Sequence, residues 1–279
     1  MSNAFSSTLK PGAFSNALVT IGKTGLASLK SYSRKFVTDT LRPGATLQVP
    51  LAASGSTGQV NPTNLESGDG SATPITIAVS HVTQSWHVSQ EDRNYGFTLE
   101  SLAQVNAQTF ATQISNVLTA IMTTANYGAA IQVGVKETFS GASLGPVLAA
   151  AKNFREKNLI LDGGHLGYLL PTDKLHFALG EAGAYGFDRI SQQNSWSGAA
   201  TNACGFCCAP DALAVGAGFP IKPSTNSLDE VGTFIIPDIE LPVMFSRWFN
   251  TATGVQWAMF ETMLGAAPGD TTQGKILTT

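Results

Sequence analysis

The sequence predicts an α+β fold, because strand patterns and helix patterns occupy separate stretches of the chain. Apolar and polar side chains alternate in residues 46–51 and again between residues 75 and 88, which is typical of β-strands. Apolar residues at steps of three and four between Leu99 and Ile121 predict one long helix. From residue 141 onward, shorter helix and strand patterns follow one another and predict a compact α+β domain.

The N-terminal third is predicted to contain an arm and a hairpin. Residues 1–42 have weak periodicity and precede Pro43-Gly44, which predicts an extended or partly helical arm. Residues 54–73 are rich in Gly, Ser, Asn and Thr, and their position between two strand patterns predicts a long protruding hairpin. Apolar side chains fall on odd positions up to Val79 and on even positions from Val82. This change of phase predicts a β-bulge near His81.

The long helix is predicted to have an uncharged outer face. We expect it to begin after the N-cap Thr98 and to end at Gly128, spanning roughly 40 Å over about 27 residues. Its only charged residue is Glu100. The polar residues of the outer face are Gln104, Asn106, Gln108, Thr112, Gln113, Ser115, Asn116 and Thr119. Because a solvated helix normally carries Lys and Glu, this face favours packing against subunits or a polyanion.

Shorter patterns predict the remaining elements. Residues 130–139 alternate and predict a strand that returns along the helix, and residues 144–158 predict a second helix. The apolar residues 159–161 predict a buried strand, and another short helix is expected to start at His165. Further strands are predicted at residues 233–237, 241–246 and 255–264.

The composition indicates an unusually neutral surface. Charged residues make up 13% of the chain, against about 25% in an ordinary soluble domain. Interface cores are depleted in charge, so this composition favours a protein that buries much of its surface against other subunits. An adhesin or exported protein is the alternative. The N-terminus has no apolar run like that of a secretory signal, and no stretch is long enough for a membrane span, which favours folding in the cytoplasm.

The net charge of −3 divides unevenly along the chain. Residues 1–42 carry six basic residues against Asp39 alone, a net charge of +5, whereas the remainder carries 10 basic and 18 acidic residues. A basic arm on an acidic body indicates contact with nucleic acid or with an acidic neighbour. The alternative interpretation of the basic segment, a solvated flexible tail, has equal weight.

Two groups of residues are candidates for chemistry. Cys204, Cys207 and Cys208 contain one Cys-x-x-Cys spacing, but no second pair and no suitably spaced histidine completes a zinc site. We therefore predict a buried or loop thiol cluster with no metal and no cofactor. Asp162 and His165 lie three apart after a strand, which fits a catalytic pair only if a nucleophile faces them. An N-cap and a tight turn explain the pair more simply.

The order of these elements resembles that of the tailed-phage coat proteins of the Hong Kong 97 type. A basic arm, a polar hairpin, a long helix, a return strand, a compact domain and a final strand follow in turn. The stretch Asn158-Leu159-Ile160-Leu161-Asp162 before a short helix is also similar to segments of that family's axial domain. The resemblance implies an N-terminal arm at 1–42, an extended loop at 43–95, a peripheral domain with a spine helix at 96–140 and 250–279, and an axial domain at 141–249.

The resemblance also implies a function. It implies a major capsid protein, not an enzyme, whose pentamers and hexamers form the icosahedral virion shell around a double-stranded DNA phage genome. Assembly is then expected in the host bacterial cytoplasm, with portal, scaffolding or cement proteins as further partners and no membrane. In this family the arm and spine helix tend to face the interior. The basic residues expected near the genome or a neighbour are Lys10, Lys23, Lys30, Arg34 and Lys35.

One member of the family hardens its shell with an isopeptide bond from an extended-loop lysine to an asparagine of a neighbour. Residues 43–95 contain no lysine, so we predict a noncovalent shell. The alternatives are an encapsulin-like compartment that carries a cargo enzyme, a small-molecule enzyme using Asp162 and His165, and a fibre or adhesin-type surface protein.

Overall fold

The computed structural model describes residues 11–52, 72–173, 186–193, 195–221 and 230–279, which form two β-sheets, a two-stranded hairpin and several helices. The first strands are β1 Ser33–Leu41, β2 Thr46–Ala52, β3 Ala72–Ala78, β4 Ser80–Val88, β5 Ile131–Gln132, β6 Asn158–Leu161 and β7 Arg189–Gln192. The later strands are β8 Ala203–Cys208, β9 Leu213–Pro220, β10 Glu230–Ile236, β11 Leu241–Asn250, β12 Val255–Pro268 and β13 Gly274–Thr278. The α-helices are α1 Pro11–Thr24, α2 Gln90–Asn94, α3 Ala103–Thr119, α4 Thr124–Tyr127, α5 Gly145–Ala150 and α6 Gly163–Asp173.

Residues 11–41 pack into the body of the protein as α1, a 3₁₀ helix at Ala27–Ser31 and β1. Pro11 begins α1, a position where its missing N–H removes no helical hydrogen bond. Phe14, Leu18 and Ile21 recur at helical spacing and are at most 5% exposed, so α1 buries one face against the main core. The partly helical form expected for this segment is present. The solvated flexible tail is wrong for residues 11–41.

The larger sheet is built on β12. One edge of β12 pairs with β4, and the other edge pairs first with β11 and then with β9. Beyond these strands, β10 pairs with β11 and β1 runs parallel to β9. β11 and β9 therefore pair with successive lengths of the same edge of β12. A groove opens between β1 and the turn that joins β10 to β11.

The main core lies between this sheet and helices α1 and α3. Phe260 of β12 has no exposed surface, and its ring centroid lies 4.9 Å from that of Trp86 and 6.0 Å from those of Phe110 and Phe245. Phe14 of α1 stacks on Phe245 at 4.3 Å. One aromatic cluster therefore joins two helices to three strands.

The predicted hairpin is present at its base, where β2 and β3 pair antiparallel; residues 53–71, its predicted tip, lie outside the described residues. Val79 separates β3 from β4, and the two strands belong to different sheets. His81 pairs regularly with Met263, so the predicted bulge near His81 is wrong. The change of phase instead marks the point where the chain passes from the hairpin to the larger sheet.

The predicted long helix is broken into shorter pieces. The amide of Ser101 donates to Thr98 Oγ1 at 3.2 Å and the amide of Thr98 donates to Ser101 Oγ at 3.1 Å, which stabilises a turn before α3. Glu100 lies in this turn, so α3 has 17 residues and no charge. The chain becomes helical again in α4. This helix ends at Gly128, whose φ is +73°. No described helix is long and apolar enough to cross a membrane.

The smaller sheet has the order β5-β13-β8-β6-β7. Its core includes Leu144, Val147, Leu159, Leu161 and Phe187, all without exposed surface. The predicted strand at 159–161 and the helix from His165 are confirmed as β6 and α6. The predicted return strand at 130–139 is too long, because only β5 forms there. The predicted helix at 144–158 is also too long, because only α5 and a preceding 3₁₀ turn form there. β10, β11 and β12 confirm the three later strands.

Candidate functional site

The base of the hairpin is seated on the larger sheet through two glycines. A Cβ on Gly216 of β9 would lie 2.9 Å from Leu47 Cδ1, and a Cβ on Gly265 of β12 would overlap the carbonyl oxygen of Ala78. Both glycines therefore allow the hairpin backbone and side chains to approach the sheet closely. Ile77 of β3 fills the interface with no exposed surface. This contact fixes the direction in which the hairpin leaves the body.

The groove beside β1 has a volume of about 590 Å³. Its lining residues are Arg34, Lys35, Phe36, Val37, Thr38, Ile235, Glu240 and Pro242. Arg34 and Lys35 are consecutive in a strand, so their side chains point to opposite faces of the sheet. Lys35 shares the face of Val37, which packs near the hairpin, whereas Phe36 packs on the main core with the helices. The side chains of Arg34 and Lys35 therefore lie on different faces of the sheet.

The side chain of Arg34 makes contacts within its own chain. Its Nη1 donates to the carbonyl of Ile239 at 2.8 Å, and its guanidinium carbon lies 5.7 Å from the centroid of the Phe36 ring. Burial lowers the pKa of Arg34, and the carboxylate of Glu240 opposes that shift while Arg189 adds to it. Arg34 thus joins the two walls of the groove at one end.

The other predicted arm cations are dispersed. Lys23 and Lys30 are exposed, on α1 and on the following 3₁₀ helix, while Lys10 lies outside the described residues. Arg189 of β7 donates from Nη1 to the carbonyl of Lys30 at 2.7 Å and adds a positive charge near Arg34. Arg189 is far away in sequence, and no local pattern indicates that it lies beside the arm.

Asp162 and His165 do lie together, in contacts that account for both side chains. Asp162 Oδ1 accepts from the amide of His165 at 2.7 Å, which caps the first turn of α6. His165 Nδ1 lies 3.0 Å from both carboxylate oxygens, and Nε2 lies 3.1 Å from the carbonyl of Gly134. His165 is 3% exposed and its ring meets Phe139 edge-on at 5.2 Å. The pair fastens α6 to the segment around Gly134.

The three cysteines are buried in β8 as free thiols. Burial raises the pKa of Cys204 and of Cys207 to about 12, and it raises that of Cys208 as well. Cys207 faces the core of the smaller sheet and Cys208 faces the main core. Within the described residues, no group of three or more His, Cys, Asp or Glu side chains is placed to hold a metal ion.

A buried carboxylate in the larger sheet was missed by the sequence reasoning. Glu261 of β12 is 3% exposed; its Oε1 accepts from Ser246 Oγ at 3.1 Å and its Oε2 lies 2.9 Å from His81 Nε2. These three residues lie on neighbouring strands, β11, β12 and β4. Their contacts satisfy the carboxylate and join the three strands.

No protein-family model matches the sequence, and no curated protein matches it. Solved structures do match. The virus-like particle from Pyrococcus furiosus has a TM-score of 0.56 at 13% identity, over 95% of this chain and 98% of that chain. The capsid of Ralstonia phage GP4 has a TM-score of 0.52 at 8% identity, over 92% and 88%. The capsid of cyanophage P-SCSP1u has a TM-score of 0.50 at 12% identity, over 91% and 88%. The chain has the α+β fold of the tailed-phage capsid proteins.

Proposed function

We propose that this protein is a major capsid protein, whose pentamers and hexamers form the icosahedral shell of a double-stranded DNA phage. The observation that carries the proposal is the extent of the structural likeness. Two phage capsid structures match more than nine-tenths of the chain at TM-scores of 0.50 and 0.52. The arm, extended loop, peripheral domain and axial domain at the boundaries given above belong to the same proposal.

Contacts between subunits, not chemistry, carry this function. The Asp162–His165 pair, the best candidate for catalysis, acts as a helix cap and a packing contact. The buried thiols have a raised pKa, which suppresses the reactive thiolate. The enzyme alternative therefore has no support at the positions that suggested it. The shell is noncovalent in this proposal, because residues 43–95 supply no lysine for a cross-link.

The arm cations are proposed to meet the genome or a neighbouring subunit. Lys23 and Lys30 are exposed and available for phosphate, as nonspecific DNA contacts require. Lys35 is exposed on the other face of the sheet and is better placed for a neighbour, while Arg34 stabilises its own subunit. Lys10, which lies outside the described residues, is included among these proposed contact residues because of its place in the basic arm. Portal, scaffolding or cement proteins are expected as further partners in the virion and in the host cytoplasm where it is assembled.

Electron microscopy of the purified full-length protein tests the proposal. Closed shells a few hundred ångström across would support it, and nuclease-protected DNA within particles from infected cells would distinguish a genome shell from a cargo compartment. Particles that hold an enzyme and no DNA would contradict the phage assignment. Protein that stays monomeric under all assembly conditions would refute the shell.

The noncovalent shell has a separate test in denaturing gel electrophoresis. Boiled shells should give one band near 29.2 kDa. A ladder of covalent multimers would refute this part of the proposal alone.

A further inference from the structure

A pocket of about 250 Å³ lies between α1 and β10, the last strand in the order of the larger sheet. A cavity of about 150 Å³ already holds a benzene molecule, so this pocket has room for one or two fused rings. The residues that line it include Phe14 and Leu18 of α1, Glu230, Gly232 and Phe234 of β10, and Phe245 of β11.

The pocket exists because position 232 has no side chain. Gly232 lies opposite Phe245 in the pairing of β10 with β11, and it shares its face of the strand with Glu230 and Phe234. This is the face that packs towards the main core, since Phe234 contacts that core. Apart from the chain neighbours of Gly232, no atom of the described residues would lie within 4 Å of a Cβ built there. The glycine therefore leaves a space in front of α1.

The usual reasons for glycine in a strand do not account for Gly232. Glycine weakens a strand interior and commonly marks a bulge or the close approach of another segment. The pairing of β10 with β11 is regular through Gly232, so no bulge requires it. Close approach explains Gly216 and Gly265, where a Cβ would meet the hairpin, but a Cβ on Gly232 would meet open space. The space itself is the feature that a larger residue would remove.

The walls of the pocket are aromatic and held in place. Phe14 stacks on Phe245 with the ring centroids 4.3 Å apart, and Leu18 lies one turn further along α1 with 1% of its surface exposed. Phe234 and Phe245 are only partly buried, so both rings keep surface that a ligand can cover. Aromatic rings pack favourably against other rings in offset-stacked and edge-to-face arrangements. These walls favour a flat aromatic ligand over an aliphatic one of the same size.

One carboxylate accompanies the rings. The side chain of Glu230 lines the pocket and is 42% exposed, and its Oε2 lies 3.4 Å from Arg247 Nη2. An ionised carboxylate accepts up to about four hydrogen bonds, so this ion pair leaves room for a further donor. A single polar group at the side of an apolar pocket fixes the orientation of a bound molecule.

We propose that this pocket binds a small neutral aromatic molecule of one or two rings that carries an N–H or O–H donor. The rings occupy the space left by Gly232 between α1 and β10, and the donor faces Glu230. A cationic ligand is disfavoured because Arg247 already offsets the charge of Glu230. The inference goes beyond the proposed shell function and does not depend on it, because one subunit supplies every wall of the pocket.

The test is saturation-transfer NMR with indole on the full-length protein, as free subunits and as shells. We expect wild type to bind indole with a Kd on the order of 1 mM, as a ligand of this size allows. Gly232→Leu places a side chain in the pocket and should weaken binding by about tenfold or more. Gly167→Leu is the matched control, because a Cβ on Gly167 of α6 also has no atom of the described residues within 4 Å.

A pair of ligands tests the aromatic walls. Phenol and cyclohexanol have nearly the same size and the same hydroxyl group, and only phenol is aromatic. We expect phenol to bind more tightly by about two- to tenfold, the range for favourable contacts between rings. Equal affinity for the two alcohols would overturn the aromatic assignment.

The remaining outcomes decide whether the pocket is the site. Indole binding that is lost in folded Gly232→Leu and kept in Gly167→Leu supports the proposal, with circular dichroism to verify folding. Absence of binding to the wild type, or equal binding by folded Gly232→Leu, overturns it. If Gly232→Leu does not fold, the smaller Gly232→Val decides in the same way.

Comparison of free subunits with shells identifies the source of the ring. Indole binding in both states supports a free small molecule as the ligand. Binding to free subunits that disappears in shells would assign the pocket to a side chain of a neighbouring chain and overturn the small-molecule assignment. None of these results alters the shell proposal, which electron microscopy tests separately.

Discussion

Replacing Phe260 by alanine should remove the centre of the aromatic cluster that joins α1 and α3 to the larger sheet. Phe260 has no exposed surface, and four aromatic rings lie within 6.3 Å of its own, centroid to centroid. Burial of about 150–250 Å² at about 25 cal/mol per Å² corresponds to roughly 4–6 kcal/mol for the whole side chain. Alanine retains about 1 kcal/mol of this, so the expected loss is about 3–5 kcal/mol, the range found for buried Phe→Ala changes.

Urea unfolding of the unassembled protein, followed by tryptophan fluorescence, measures this loss. With a slope of about 3 kcal/mol per molar urea, the midpoint should fall by between about 1 and 2 M. Phe249→Ala is the control, because the same residue type on the neighbouring strand is 39% exposed and should lose less than half as much free energy of unfolding. Equal losses for the two variants, or a loss below about 1 kcal/mol for Phe260→Ala, would refute the packing described for the main core.

Two further predictions concern the smaller sheet and its helix. Asp162→Ala should lower the free energy of unfolding by about 2–4 kcal/mol, because it removes the cap of α6 and the partner of His165 Nδ1; Asp162→Asn keeps an acceptor and should lose less in the same urea titration. A loss of less than about 0.5 kcal/mol for the alanine variant would contradict the cap. The thiols of Cys204, Cys207 and Cys208 should resist a thiol reagent at pH 8 in the folded protein and react in urea, because burial raises their pKa values. The protonated thiols favour the folded state most fully below pH 9, and this contribution is lost as the pH rises from 9 towards about 12; rapid labelling of the native protein would contradict the burial.

The sequence predicted the elements whose patterns are local. Alternation identified β2, β3 and β4, and the apolar run at 159–161 identified β6. It did not identify β8 and β9, because both are buried on two faces and lack alternation; all eight residues of β9 are buried. The glycines and cysteines of these strands conceal the usual strand signal.

The helix prediction failed at its start for a physical reason. Leu99 and Leu102 continue the apolar spacing of α3, but Thr98 and Ser101 form a local hydrogen-bonded turn that competes with the helix. Leu99 is still buried, and its carbonyl accepts from Trp86 Nε1 at 3.2 Å. The apolar spacing therefore predicted correctly that Leu99 is buried and predicted wrongly that it is helical.

The candidate site was predictable only in part. Strand alternation shows that Arg34 and Lys35 point to opposite faces, once β1 is known to be a strand. The approach of Arg189 to the arm, and that of Ser246 to Glu261, depend on pairings between distant segments. The stacking of Trp248 on Trp257 likewise depends on the register between β11 and β12, which composition alone does not reveal.

The position of β12 between three other strands has a consequence for how the chain is made. The pairing partner of β4 is β12, which is synthesised much later, since His81 pairs with Met263. Until then β4, β9 and β11 expose unpaired backbone edges, which favours aggregation of the nascent chain. Contacts between such distant segments also slow folding, because a long loop must close before they form. We therefore expect folding to be the slow step in producing this protein, and truncation before β12 to leave insoluble chains.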